Sequence, residues 1–549
     1  MRIVMINWAR FADGAQAGGG VNGYCRQLAL ELTARGHQVA WLSGGLSYVA
    51  GAIPGSMQPC EVRRLHDDSG VQVYEVFNSP VLAPGIFQFR EPLGEVSSPE
   101  LEAELTRFFQ LWRPDVVHFH NIEGFSCGCI NAARTAGPGW KGASVFFSLH
   151  NYHTVCPQVY LMQKGATPCF DFDNGHACVG CVEGHDSTRE RWIRAGVEPD
   201  RAEAHREGPP LSPPSPSPLL GRVVGAFKRR LHEPLPLPVI DPPLPGRRIE
   251  QSSDIEPEAN SNAHAVRHVA PWSEEQLLSP TWRPLTNECV PPPACSRAVN
   301  EYGTRRKAMV EMLSRCDGVF AVSSFVRRKF ESLGVSPRVL RELPIGTRMA
   351  ELVERTPWAM RTRRPASGRP VRLAFMGYNN TFKGLPMLLD SLELLVPEVL
   401  GSLELFIWAK DIHRDEARVE GFRARLGGLH VRGSYRYEDV PSMLCGIDAG
   451  LVPSIWWDNG PQTAMEFLAC GVPVIGAALG GIVDIVHDGV NGLLYTGNDR
   501  FALAATLARV VREPSTLQKL AAGIQPPRTM AAHTSEVLAA YKAAMSAEK

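Results

Sequence analysis

Two carboxylates eight positions apart, Asp458 and Glu466, lie in the segment WWDNGPQTAMEFLACG (456–471). The DNGP turn exposes backbone N–H groups and feeds a run with helical spacing and small residues. A loop that enters a helix N-terminus attracts phosphate through free N–H donors and the helix dipole. Gly460, Gln462 and Thr463 are therefore candidate phosphate contacts. Lys383 follows the strand-and-loop stretch FMGYNNTF and precedes Gly384, which puts a cation at a strand end. Two apolar runs, PDVVHFH and ASVFFSLH, end in His120 and His150. Open parallel sheets bind ligands at the carboxyl ends of their strands, so both histidines stand where chemistry would be. The plainer reading is that they cap strands. Gly18, Gly19 and Gly20 follow the first strand-like run and read as a flexible loop that lets backbone approach a ligand closely.

These residues need elements to position them. RIVMI (2–6) reads as a first strand, VNGYCRQLALELTARG as a helix stopped at Gly36, and QVAWLS as a second strand. That β-loop-α-β start belongs to a doubly wound α/β sheet. Order of the same kind returns after Tyr302, with a helix, the strand GVFAVS, and a helix beginning at Ser323 or Ser324. A second α/β unit opens at VRLAFMG (371–377) and continues through LELFIWA, LHVRG, GVPVIG and the helix before Pro514. Between the two units, 186–300 reads as a partly disordered insertion, because residues 209–245 alone hold 12 prolines. The expected division is 1–185 and 301–354 for the N-terminal domain, 355–370 for a linker, 371–530 for the C-terminal domain and 531–549 for a helical tail. The cleft between the two units is the natural binding site.

The bulk numbers exclude some functions. The 549 residues carry 57 basic and 57 acidic side chains, a net charge of 0, which gives no general attraction to nucleic acid or an anionic membrane. No window reads as a membrane-spanning helix. The start lacks the long apolar core and cleavage site of a signal peptide. The cytoplasm is the expected location, where most of the 13 cysteines stay reduced. Cys156, Cys169, Cys178 and Cys181 have the spacing C-x12-C-x8-C-x2-C. A structural Zn site, free thiols and a disulfide all fit it.

The chain resembles the retaining glycosyltransferases of family 4, which have the GT-B architecture of two Rossmann-like domains facing a central cleft. GYNNTFKG, IDAGLVPSIWWDNGPQTAMEFLACGVPVIG and GGIVDIVHDGVNGLLY carry the likeness in the second unit. GGG, PDVVHFHN, SLHNYHTVCP and AVSSFVRRKF carry it in the first. The resemblance spans about 1–185 and 300–530 and leaves the insertion uncovered. It implies a nucleotide diphosphate sugar as co-substrate, held mainly by the C-terminal domain, and no cofactor for catalysis. Glu466 would bind ribose hydroxyls, Asp458 would lie near the transferred sugar, and Lys383 would neutralise the diphosphate. Gly18, Gly19 and Gly20 would approach the diphosphate, with Asn22 beside them, and His150 would face the donor sugar. Transfer would proceed on one face, the leaving phosphate oxygen taking the acceptor proton, so that no general base is needed.

Two positions depart from the family pattern. Asp458 replaces the usual glutamate and is one methylene shorter. Tyr378 stands where an arginine often follows the first glycine, so a second clamp charge is missing or comes from Arg327, Arg328 or Arg348. Of Trp456 and Trp457, at least one is expected in the core. The acceptor stays open among a glycan, a lipid-linked sugar, a natural-product aglycone and a protein. A lipid-linked acceptor would bring peripheral membrane contact. Two alternatives stand beside transfer: a catalytically inactive sugar-nucleotide-binding partner or scaffold, and a nucleotide-sugar epimerase or hydrolase on the same fold.

Overall fold

The computed structural model describes residues 1–197, 284–355 and 368–547, apart from Gly14, Pro54, Ala166, Val290 and Ala294. Most of the expected insertion and linker therefore lies outside the described residues.

The N-terminal sheet has eight strands in the order β10-β9-β6-β5-β1-β2-β4-β3. They are β1 (Arg2–Ile6), β2 (Gln38–Gly44), β3 (Glu61–Asp68), β4 (Val71–Phe77), β5 (Val116–Phe119), β6 (Ser144–Leu149), β9 (Gly318–Ala321) and β10 (Leu340–Glu342). All neighbours are parallel except the β3–β4 hairpin. β5, β6 and β9 are buried at every residue. This is why they read as largely apolar runs: both faces of a parallel sheet are covered. β3 reads EVRRLHDD, charged and largely exposed, and its edge position explains why no apolar alternation marks it.

The C-terminal sheet is fully parallel, in the order β13-β12-β11-β14-β15-β16. Its strands are β11 (Val371–Tyr378), β12 (Leu403–Lys410), β13 (Gly428–Arg432), β14 (Ala449–Val452), β15 (Val474–Ala477) and β16 (Gly492–Tyr495). The fold is α/β with two Rossmann-like domains. A short hairpin of β7 (Met162–Gln163) and β8 (Thr167–Pro168) lies apart from both sheets.

One element crosses back. The helix Met530–Ala547 packs on α1 (Ala15–Ala34) and β6 of the first domain. There the Tyr541 hydroxyl lies 2.5 Å from His118 Nδ1, and Tyr24 OH lies 2.6 Å from His533 Nε2. No helix among the described residues is long and apolar enough to cross a membrane.

The expectation of a loop at Gly18–Gly20 needs correction. These residues fall inside the span of α1, which breaks at Gly19 with φ 61° and ψ −155°. Only a residue without Cβ adopts that backbone readily, so the glycines produce a kink in the first turns and not a free loop. Within the expected insertion, Ser187–Arg194 is a helix whose N-cap Asp186 accepts from Arg189 N at 3.0 Å.

Candidate active site

The two sheets turn their carboxyl ends toward each other, and the expected residues converge there. Lys383 closes a 3-10 turn, Thr381–Lys383, whose first N–H groups are organised by Asn380. The Asn380 side chain accepts from Lys383 N at 3.0 Å. Gly384 follows with φ 81°. A Cβ there would stand 1.7 Å from Pro453 O, so no other residue fits between the turn and the end of β14. This packing aims Lys383 at the next loop, where its Nζ meets Asp458 Oδ2 at 2.8 Å. Ser454 Oγ donates to the same carboxylate oxygen at 3.2 Å, and Asp458 O accepts from Gly481 N at 2.6 Å. Asp458 is buried, and Lys383 is about one third exposed on its side chain.

Glu466 sits on the helix Gln462–Ala469, which no side chain caps. It is buried, yet among the described residues its carboxylate has neither an ion pair nor a hydrogen bond. Burial alone pushes its pKa up to about 7. Tyr435, Tyr437 and Cys470 feel its charge, and burial raises the pKa of each. An uncompensated buried carboxylate is costly and is usually retained for a ligand.

The N-terminal side of the cleft is in direct contact. Gln462 Nε2 donates to Gly20 O at 2.7 Å. A Cβ on Gly20 would come within 3.1 Å of Gln462 Cδ, and one on Gly19 within 3.6 Å of the Tyr378 ring. The kinked glycines therefore let α1 touch both the helix of Glu466 and the end of β11. Tyr152 OH donates to Trp457 O at 2.9 Å, and Asn459 Nδ2 donates to Leu149 O at 3.3 Å. Asp484 of the C-terminal domain caps the helix Ser324–Ser332, accepting from Ser324 N at 2.5 Å and Ser324 Oγ at 2.7 Å. The cleft is held closed by these bonds.

His150 and His120 follow β6 and β5 directly, and their rings face each other with His120 Nδ1 3.2 Å from His150 Nε2. Burial pushes the His150 pKa down to about 3 and holds His120 well below the usual range. Both are neutral, which suits hydrogen bonding to hydroxyls and not acid catalysis near neutral pH.

Other sequence expectations fall elsewhere. Asn22 faces inward, accepting from Asn7 Nδ2 at 3.0 Å and donating to Arg10 O at 3.1 Å. Arg327 pairs with Glu331 on its own helix, Arg348 pairs with Glu351 in the helix Met349–Arg355 that follows it, and Arg328 donates to Ser324 Oγ. Both tryptophans are core: Trp456 packs edge-on to Tyr152 and Tyr160, and Trp457 packs near Phe170 and Phe325. Burial raises the thiol pKa of Cys156, Cys169, Cys178 and Cys181, and each also feels at least one of the others. No three of their sulfurs fall within 4.8 Å of one another, however, which is wider than a closed tetrahedral site requires.

Sequence reasoning missed a strap. Leu285 bridges to Gly497, Thr286 O accepts from Trp457 Nε1 at 3.0 Å, and Asn287 bonds Gly480 N at 2.6 Å and Gly480 O at 3.1 Å. The strap sits in PLTNEC (284–289), which has no periodicity to announce it.

Two family models match the chain: the glycosyl transferase 4-like domain over residues 19–198 and glycosyl transferases group 1 over residues 370–513. Together they take in more than half of it. The chain belongs to the family 4 glycosyltransferases, with GT-B architecture. Among relatives of this family, the D-inositol 3-phosphate glycosyltransferase of Thermomonospora curvata is 32% identical over 168 residues, 29% of this chain and 39% of that protein. That of Mycolicibacterium smegmatis is 40% identical over 110 residues, 20% of this chain and 25% of the relative. The chain thus spans less than half the length of these curated relatives. Two GT-B structures share the fold. Anabaena HepE in complex with UDP has a TM-score of 0.52 at 13% identity, over 99% of this chain and 100% of that one. Sucrose-phosphate synthase from Thermosynechococcus elongatus has a TM-score of 0.52 at 14% identity, over 100% of both chains.

Proposed function

We propose that this chain is a retaining glycosyltransferase that moves a sugar from a nucleotide diphosphate sugar to an acceptor hydroxyl. One observation carries the reading: a buried, unpaired carboxylate, Glu466, stands eight residues after an aspartate already bound to the cleft lysine. In the proposal, the ionised Glu466 accepts from the two ribose hydroxyls, which supply the partners the protein does not. Gly460, Gln462 and Thr463, at the uncapped start of the Glu466 helix, and Gly18, Gly19 and Gly20 at the kink of α1, hold the diphosphate through backbone N–H groups. Lys383 neutralises charge as it develops on the leaving phosphate. Until the donor arrives, Asp458, itself held by Ser454, keeps the ammonium in place, so little reorganisation is needed at the moment of reaction.

Asp458 borders the transferred sugar, and neutral His150 offers a ring nitrogen to a sugar hydroxyl. The acceptor is deprotonated by the leaving phosphate oxygen on the same face, which accounts for retention without a titrating base. The closed cleft keeps water from competing with the acceptor. The residues 1–185 with 301–354 form the acceptor side and 371–530 the donor side. The reading requires no metal or other cofactor for the transfer step.

Calorimetric titration with UDP, GDP, ADP, TDP and CDP, without added metal, tests the donor site. UDP comes first, because the fold neighbour HepE was solved with it. Saturable binding of one diphosphate, lost in Glu466→Ala, is expected. A folded chain that binds none of the five would overturn the assignment. Binding with no transfer to any acceptor would instead favour the partner or scaffold reading.

A further inference from the structure

Behind the cleft, where β5 and β6 end against α1, four histidines gather around Cys25, Tyr24 and Tyr541. Two of the histidines use both ring nitrogens. His118 Nδ1 lies 2.5 Å from Tyr541 OH and its Nε2 lies 2.9 Å from Ser148 Oγ. His533 Nε2 lies 2.6 Å from Tyr24 OH and its Nδ1 lies 3.0 Å from Pro344 O. His120 and His150 are different. They turn one nitrogen of each ring toward the other at 3.2 Å, and the remaining His120 Nε2 is buried with no partner.

The Cys25 thiol lies fully buried beside them. One ligand atom each from Cys25, His120 and His150 falls within 4.8 Å of the other two. It is the one such group of histidine, cysteine and carboxylate atoms among the described residues. Zn–N bonds near 2.0–2.1 Å and a Zn–S bond near 2.3 Å set tetrahedral ligand atoms roughly 3.3–3.6 Å apart. The three ligand atoms lie within 4.8 Å of one another, so a closing shift of roughly 1 Å brings them to that spacing.

We propose that Cys25, His120 and His150 bind one Zn2+ ion, with its fourth position left to water. One thiolate and two imidazoles suit a borderline-soft, non-redox cation. On binding, the Cys25 S–H bond breaks, its proton passes to solvent and the S–Zn bond forms, with no change of oxidation state. The ion ties α1 to the ends of β5 and β6. With one ring nitrogen of His150 on the metal, the other is fixed as an N–H donor. That last consequence rests on the proposed sugar contact of His150, whereas the metal site itself does not.

The test uses the full chain, stripped with chelator and titrated with Co2+. One equivalent is expected to bind with a thiolate-to-Co2+ charge-transfer absorption and tetrahedral d–d bands, and Zn2+ should displace it. Cys25→Ala should abolish the charge-transfer band and weaken binding at least 100-fold, while Cys178→Ala keeps both. X-ray absorption of the Zn2+ form should give one sulfur and two imidazole neighbours, a readout that needs no variant to fold. A metal-free thermal midpoint of Cys25→Ala close to that of the unaltered chain separates lost ligation from lost fold. Absence of stoichiometric Co2+ binding would overturn the proposal. So would a band that survives Cys25→Ala and vanishes in Cys178→Ala, since the ion would then sit in the four-cysteine segment.

Discussion

Replacing Glu466 by glutamine should make the protein more stable and a poorer binder at once. The carboxyl group is buried without a partner, and its pKa stands near 7 against an ordinary value of 4.5. The folded chain therefore holds this proton where the unfolded chain has released it. Stability falls as pH rises from about 4.5 through about 7 and levels off above. The interval corresponds to roughly 3 kcal/mol of penalty for the ionised form. Glu466→Gln escapes it, so the variant should gain up to roughly 3 kcal/mol near pH 8 and almost nothing near pH 4.5. The ligand responds in the opposite sense. A hydrogen bond to a charged group contributes about 1.5–3 kcal/mol. The amide keeps one acceptor, so affinity for the nucleotide sugar should fall roughly 30- to 150-fold, equivalent to about 2–3 kcal/mol. Denaturation midpoints of both proteins at about pH 5 and pH 8, with calorimetry of the nucleotide sugar at pH 8, read both quantities. A stability difference that does not depend on pH, or a glutamine variant that unfolds more easily at pH 8, would refute the account of Glu466 as an uncompensated buried charge. Unchanged affinity would refute its role at the ribose.

Other predictions follow the same geometry. Lys383→Met removes the cation that Asp458 holds, and turnover should drop by about 100- to 1,000-fold, with the overall fold retained by circular dichroism. Gly20→Val pushes a side chain into Gln462, which lies within 3.1 Å of a Cβ there. The variant should show faster backbone hydrogen exchange in the Glu466 helix and slower transfer. Glu95 is buried between Arg305, at 2.5 Å, and His153, at 2.6 Å, and these partners hold its carboxyl pKa down to about 2. Its stabilisation is complete above about pH 4.5 and is lost as pH falls toward about 2. Arg305→Met should cost about 3–5 kcal/mol at neutral pH in urea unfolding. Tyr541→Phe strands His118 Nδ1 in the core and should cost about 1–3 kcal/mol in the same assay.

The sheets were legible where burial wrote itself into the sequence. RIVMI, VVHF and SVFFSL are largely apolar because both faces of the sheet are covered, and Gly36 marks the end of the helix between β1 and β2. β3 was not legible: as an exposed edge strand it carries Glu, Arg, His and Asp, which suit solvent and hide its pairing with β4. Within the site, the residue types of Asp458, Glu466 and Lys383 could be read, because a turn and a helix start fix their local setting. Their partnerships could not. The Lys383–Asp458 pair joins residues 75 apart, and the Gln462–Gly20 contact joins residues 442 apart. The isolation of Glu466 is a property of everything that surrounds it. Gly18–Gly20 read as a loop because three glycines in a row disfavour helix. Packing against Gln462 and Tyr378 restrains them to a single kink.

The return of the helix Met530–Ala547 to the first domain has a consequence for biosynthesis. His118 and its partner Tyr541 are 423 residues apart, and Tyr24 waits 509 residues for His533. During translation, the first domain emerges with an unsealed groove between α1 and β6, where His118, Tyr24 and Phe146 await partners. It can be completed only after the whole second domain has left the ribosome. A helix made after the second domain is thus the closing piece of a domain made before it, and the order of assembly runs opposite to the order of synthesis.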